Sequence, residues 1–239
     1  MKLKRIIALL LSVVALLGTL TSCGEAKDYC EYAKNRDTAD REIYYAEISV
    51  KDFGKITVLL DATTAPITVA NFVSLAESGF YDGLKFHRII MDFMIQGGDP
   101  NGDGTGGSNT NIKGEFDENG HANDISHLRG VISMARSDSP NSASSQFFIC
   151  NADATESLDG KYAAFGYVVS GMSVVDAITD AVFPKTYLAE YYGNDDYYDK
   201  SYGITYNDIW AYYGNGRIEN EADKPVIEYV KILDYVPEY

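Results

Sequence analysis

The sequence predicts a mainly β fold, a closed or nearly closed antiparallel barrel with helices packed against it. Three observations carry that expectation. Short alternating runs rich in β-branched and aromatic residues recur from Ile43 to Leu233, as in strands with one face toward a core. Only two stretches show apolar residues at helical spacing, and they do not repeat in the strand-helix-strand rhythm of a parallel sheet. At 239 residues the chain can enclose one sizeable core or two small ones.

The first residues stand apart from that core. Lys2, Lys4 and Arg5 precede an apolar run from Ile6 to Leu20, the charged and apolar regions of an export signal, and the run is short for a membrane span. It ends in Leu20-Thr21-Ser22-Cys23, which resembles the lipobox of bacterial lipoproteins. The expectation is a signal peptide over 1–22, a lipid on Cys23 and an extracytoplasmic protein anchored to a bacterial membrane. Loss of the signal leaves 17 basic residues against 35 acidic ones, a formal charge of -18 in place of -15. That balance excludes nucleic acid as a partner, because phosphate binding needs a basic surface. It also removes the polybasic signal for an anionic leaflet, so attachment must come from acyl chains. Residues 23–41 are polar and read as a tether. Cys30 and Cys150 are too few for a disulfide framework.

Order begins at Glu42, and 42–239 reads as one domain. Two alternating runs flank Asp52-Phe53-Gly54, a hairpin signal. Pro66 marks a helix start with Thr63 or Thr64 as its cap, and Val69, Phe72, Val73 and Ala76 follow at helical spacing until Gly79. Next comes FHRIIMDFMIQGGDP, from Phe86 to Pro100. Side chains alternate between the faces of a strand, so Met94 and Gln96 share one face and Ile95 takes the other. SSQFFIC, from Ser144 to Cys150, repeats the pattern: Gln146 and Phe148 share a face, with Phe147 and Ile149 opposite. A face that mixes Met or Phe with Gln suits either a half-open pocket or a solvated edge strand.

Gly97 to Gly114 is loop, and its motif-like spacings fail on context. Gly102, Gly104 and Gly107 fit a dinucleotide fingerprint with no helix behind it, and Ser108 and Asn109 stand where a phosphate loop needs Lys and Ser or Thr. Asp99, Asn101 and Asp103 open like a calcium loop that ends on Thr110 instead of Glu. His87, His121 and His127 have no metal-ligand spacing, so neither metal nor cofactor is expected. GVISMAR from Gly130 and AAFGYVV from Ala163 read as strands, Ser173 to Thr179 as a short helix, and PVIEYVKIL from Pro225 as the closing strand. Before that strand lies an insert, 184–224, holding nine of the 19 tyrosines and twice as many acids as bases. It reads as a loop folded over the domain on its own aromatic area, or as a docking surface for partner proteins.

In order, FHRII, FMIQGGDP, GTGG, SMAR, SSQFFIC, LDGKYAAFG and GMSVVDAI resemble the cyclophilin family of peptidyl-prolyl isomerases. The resemblance implies an eight-stranded antiparallel barrel capped by two helices, a protein-folding enzyme, and proline-containing polypeptides as partners. It also implies that Arg88 is the catalytic arginine. By the same match Phe93, Met94, Phe148 and Leu158 form the walls of the proline pocket and Gln96 holds the substrate backbone. Ala135, Arg136 and Gln146 would line the adjoining groove, with Gly104 at the neighbouring pocket. Three positions depart from the family pattern: Arg136 where Asn is frequent, Tyr162 where His is frequent, and Ser157 where many members carry Trp. Tyr162 keeps an aromatic body at the pocket, whereas Ser157 loses a large apolar contact, so weak cyclosporin binding is expected. A module that only holds proline-containing segments, as chaperone or scaffold, is the alternative. Nothing in the sequence demands more than a monomer.

Overall fold

A computed structural model describes residues 28–182, 216–218 and 220–237. Eight strands form one antiparallel sheet: β1 Ile43–Val50, β2 Gly54–Asp61, β3 Arg88–Ile90, β4 Met94–Gly97, β5 Val131–Met134, β6 Phe147–Cys150, β7 Ala164–Ser170 and β8 Ile227–Leu233. Their order is β3-β4-β6-β5-β7-β2-β1-β8. The mainly β expectation holds, but the closed barrel does not. The sheet is a strongly curled half-barrel whose end strands, β3 and β8, share no ladder. They are bridged by the segment before β3, where Phe86 N–H donates to Pro225 O at 2.9 Å and Gly83 N–H to Ile227 O at 2.8 Å. Local alternation specifies strands without specifying whether the two ends of a sheet meet.

Among the described residues four α-helices accompany the sheet: α1 Glu31–Asn35, α2 Pro66–Glu77, α3 Thr155–Leu158 and α4 Met172–Val182. The two long ones are those expected from the sequence. α2 begins at Pro66 as anticipated, but no side chain caps it from Thr63 or Thr64. The distant Glu115 carboxylate takes that task, accepting from Ile67 N–H at 3.0 Å, Thr68 N–H at 2.8 Å and the Thr68 hydroxyl at 2.7 Å. Thr63 and Thr64 are used elsewhere: Thr63 accepts from Glu42 N–H and Thr64 from Arg36 and Arg41. Gly79, at φ 70°, closes the helix in the left-handed region that favours glycine.

Where a tether was expected, residues 28–41 are docked on the sheet. Asp28 accepts from Gly171 N–H at 3.1 Å and Ser173 N–H at 2.7 Å, capping α4. Cys30 N–H donates to Val168 O at 2.8 Å. Cys30 and Ala33 are buried with Leu59, Val131 and Tyr167. Arg36 reaches Asp61 at 3.1 Å and Asp124 at 2.8 Å. Cys30 and Cys150 are buried free thiols. Cys23 and most of the insert lie outside the described residues, and among those described no helix is long and apolar enough to cross a membrane.

The core follows from strand alternation. Ile89 pairs Ile95, Ile95 pairs Ile149, and Ile149 pairs Ile132. Paired residues share a face, so these four make a continuous row, and all belong to the main core. Against this face pack Phe72 of α2, Tyr81, Phe147 and Phe165, with ring centroids 5.1 to 5.5 Å from that of Phe72. The inner face is closed by this packing, and what faces outward is left for other work.

Candidate functional site

One residue along each strand, a second row faces outward. Arg88 pairs Gln96, Gln96 pairs Phe148, and Phe148 pairs Ser133. Alongside it run Ile90, Met94 and Cys150. The two rows make a polar strip beside an apolar floor, and the floor is buried with Phe148, Ala154 and Leu158. Phe93, Ala135 and Tyr162 pack around it, partly open. The result is an apolar cluster with a half-buried guanidinium beside it.

Hydrogen bonds orient the strip. Arg88 donates to Gln96 Oε1 at 3.1 Å and lies 4.0 Å from Met94 Sδ. Gln96 Nε2 donates to Gln146 Oε1 at 2.8 Å, and Gln146 Nε2 donates to Gly106 O at 2.7 Å and Gly104 O at 3.2 Å. Each amide spends its oxygen toward Arg88 and its nitrogen away from it, so the chain has one polarity and fixes both amide orientations. The loop at its end is wound around Asp99, whose buried carboxylate accepts from the N–H groups of Asn101, Asp103 and Gly104. Gly98, at φ 81°, makes the turn into this loop, and a Cβ there would stand 2.5 Å from Ser145 O. Only glycine meets both demands.

Behind the apolar wall stands His127. Its ring lies nearly parallel to Phe148, at 19° and 6.1 Å between centroids. Nδ1 donates to Asp159 at 2.8 Å, which leaves Nε2 to accept from the Ser133 hydroxyl at 3.0 Å. Burial is the largest influence on this imidazole and holds it below the usual histidine range, with Asp159 opposing. Tyr162 meets Phe148 edge-on at 6.0 Å. Arg136 lies over the Tyr162 ring at 4.7 Å and the Phe116 ring at 5.1 Å, its donors bound to the carbonyls of Lys161, Ser137 and Asp138. It therefore braces the groove wall, whereas a short Asn there would reach neither ring.

The structure brings the residues singled out in the sequence to one outward face and its borders: Arg88, Gln96 and Phe148 in the paired row, Met94, Leu158, Phe93, Ala135 and Tyr162 in the apolar cluster, and Gln146, Gly104 and Arg136 at its edges. Ser157 is exposed, its hydroxyl turned back to Ala154 O at 3.1 Å. The sequence reading missed His127, Ser133 and Asp159 as supports of Phe148. Two of them lie inside the SMAR and LDG motifs, which was the available signal. Among the described residues no group of three His, Cys, Asp or Glu could hold a metal ion.

Comparisons with known proteins agree with this geometry. Residues 45–190 match the family described as cyclophilin type peptidyl-prolyl cis-trans isomerase/CLD. The chain is 53% identical over 123 residues to peptidyl-prolyl cis-trans isomerase ppi1 of Schizosaccharomyces pombe, covering 51% of this chain and 76% of that one. It is 45% identical over 136 residues to a peptidyl-prolyl cis-trans isomerase of Helicobacter pylori, covering 56% of this chain and 79% of the other. The crystal structure of a Cryptosporidium parvum cyclophilin type isomerase matches the fold with TM-score 0.61 at 23% identity, over 82% of this chain and all of that one. A second structure of that protein, in the presence of the dipeptide Ala-Pro, gives TM-score 0.59 at 26% identity over 80% and 99% of the two chains. A family match over more than half of the sequence joins an outward row of arginine, glutamine and phenylalanine on a curled antiparallel sheet, and the chain belongs to the cyclophilin-type peptidyl-prolyl cis-trans isomerases.

Proposed function

We propose that this outward face turns X-Pro bonds of exported polypeptides during their folding, with Arg88 as the catalytic group. Rotation about such a bond faces a barrier of about 18 to 20 kcal/mol from amide resonance. Twisting the amide localises a lone pair on the proline nitrogen. A catalyst need only stabilise that twisted state better than the planar one, with no covalent step. Arg88 stays charged and presents its donors in a rigid fork, and its bond to Gln96 fixes where that fork stands. Met94, Phe148, Leu158 and Phe93 take the proline ring, and Gln96 holds the client backbone. The observation that carries this reading is the paired row of Arg88, Gln96 and Phe148, which sets a cation and an aromatic wall on one face about two strand spacings apart.

The test is cis-to-trans relaxation of an X-Pro peptide with the mature chain and with Arg88→Ala. The wild type accelerates relaxation and the variant loses about 100-fold or more in kcat/KM, the size seen when a transition-state donor is removed. An inactive wild type that still binds the peptide would favour a holding module, and an unimpaired Arg88→Ala would remove Arg88 from the mechanism.

Two further readings rest on the sequence. The run Leu20-Thr21-Ser22-Cys23 supports a lipid anchor and an extracytoplasmic site of action, and acyl labelling should disappear in Cys23→Ala. Ser157, small and turned toward its own helix, supports weak cyclosporin binding, and Ser157→Trp should tighten it.

A further inference from the structure

The last residue of the insert, Lys224, is buried, with 6% of its surface exposed. Its ammonium donates to Gly102 O at 2.7 Å, 122 residues away in sequence. Glu221 accepts from the same ammonium and from Lys85 Nζ, and these two cations hold its carboxyl down at about 2. A 3-10 turn, Glu221–Asp223, separates the two partners and is closed by Asn220, whose Oδ1 accepts from Ala222 N–H at 3.2 Å and whose Nδ2 donates to Asp223 at 3.0 Å. The main chain follows the same course. Phe86 N–H donates to Pro225 O at 2.9 Å, and Lys85 is bridged to Val226 and to Asp99. The return of the insert is thus fastened twice to the loop that begins at Asp99, by backbone and by ammonium.

A buried ammonium is costly even when it is paired and hydrogen-bonded, so its place calls for a reason in what it holds. Gly102 and Gly104 lie in the left-handed region, at φ 69° and 88°, and such a stretch has wide conformational freedom once its contacts are removed. Asp99 ties its N–H groups, those of Asn101, Asp103 and Gly104. Its carbonyls are tied from outside the loop, Gly102 by Lys224 and Gly104 and Gly106 by Gln146. Those last two carbonyls orient the Gln146 amide, Gln146 orients Gln96, and Gln96 Oε1 accepts from Arg88. A connected path therefore runs from Lys224 through the loop to the arginine of the paired row.

We infer that Lys224 is a positioning residue for the isomerase: by holding Gly102 it sets the loop carbonyls that orient Gln146, and through Gln146 and Gln96 it fixes where Arg88 stands. Its influence passes through Gln146, so it disappears when that amide is removed. Arg88 acts on the twisted amide, so what Lys224 contributes appears in kcat more than in KM.

This inference rests on the isomerase reading, and the experiment separates the two. Cis-to-trans relaxation of an X-Pro peptide is measured for wild type, Lys224→Met, Gln146→Ala and the double variant, with a urea midpoint for each to show that it is folded at the assay temperature. Lys224→Met keeps the apolar stem and drops the donor. It lowers kcat about three- to tenfold in the wild-type background, one hydrogen bond's worth of positioning, and by less than about twofold in the Gln146→Ala background. Lys224→Arg, which keeps a donor, recovers most of the loss. An equal loss in both backgrounds, or none in the first, overturns the inference and leaves the isomerase reading intact. If Lys224→Met does not fold, Glu221→Gln, which weakens the hold on Lys224, is measured in the same two backgrounds, with a loss of about two- to threefold in the first alone. An inactive wild type removes the isomerase reading, and the nuclear magnetic resonance signals of the Gln146 side-chain amide then decide the placement: they shift in Lys224→Met if Lys224 sets the loop, and unmoved signals overturn it.

Discussion

His127 shows how a residue beneath the outward face governs one on it. Stacked on Phe148 and held by Asp159 and Ser133, it must stay neutral for Nε2 to accept from Ser133. His87 is buried as well, and neither of its ring nitrogens has a hydrogen-bond partner among the described residues. Burial is the largest influence on both imidazoles and holds them below the usual range. The folded protein therefore binds these protons less readily than the unfolded chain, whose imidazoles titrate near 6.5. Stability is full above that pH and is lost as pH falls toward the folded-state values. A thermal or urea series from pH 7.5 to 5.0 should show stability falling toward the acid end, with a smaller fall in His127→Gln. At this scale the outward face of Gln96 and Phe148 was legible, because both sit in runs whose two-residue period separates core from surface, whereas Arg88 was singled out by the resemblance to the family. His127 was not legible, since its meaning lies in Asp159, 32 residues away.

Elements are held here by side chains from far along the chain. Glu115 caps α2 from 47 residues away at Thr68, with no exposed surface of its own. Glu115→Ala leaves two N–H groups and a hydroxyl without an acceptor and should cost about 2 to 3 kcal/mol in unfolding free energy. Glu115→Gln keeps one acceptor oxygen and should cost less. Thr63 and Thr64, adjacent to Pro66, looked like the cap because local sequence offers only local candidates. The Gly104 loop is similarly pinned, by Asp99 within and by Gln146 and Lys224 from outside, the buried Lys224 donating to Gly102 O at 2.7 Å and pairing with Glu221. Gln146→Ala removes the Gln96 contact and frees the Gly104 and Gly106 carbonyls. It should lower kcat/KM about tenfold, one hydrogen bond's worth of positioning, with a far-UV spectrum like that of wild type.

For the molecule as a whole, residues 28–41 belong to the domain. Asp61 is fully buried and is bound by Arg36 at 3.1 Å and Arg41 at 2.8 Å. A chain beginning at Glu42 would leave that carboxylate without either cation and uncover the apolar surface beneath Cys30 and Ala33. Such a truncation should lose about 3 to 5 kcal/mol, the cost of stranding a buried charge, read as a lower urea midpoint. Polarity made residues 28–41 look like a tether, but the charges of Asp28 and Arg36 are spent on the domain rather than on solvent.

The sheet that carries Gln96 and Phe148 outward carries Ile95 and Ile149 inward, one residue along the same strands. Foldability and turnover are therefore inherited together. A lineage drifting at the isoleucines would drift in reactivity as well, whereas one abandoning the chemistry could do so by altering the outer row alone and keep its shape.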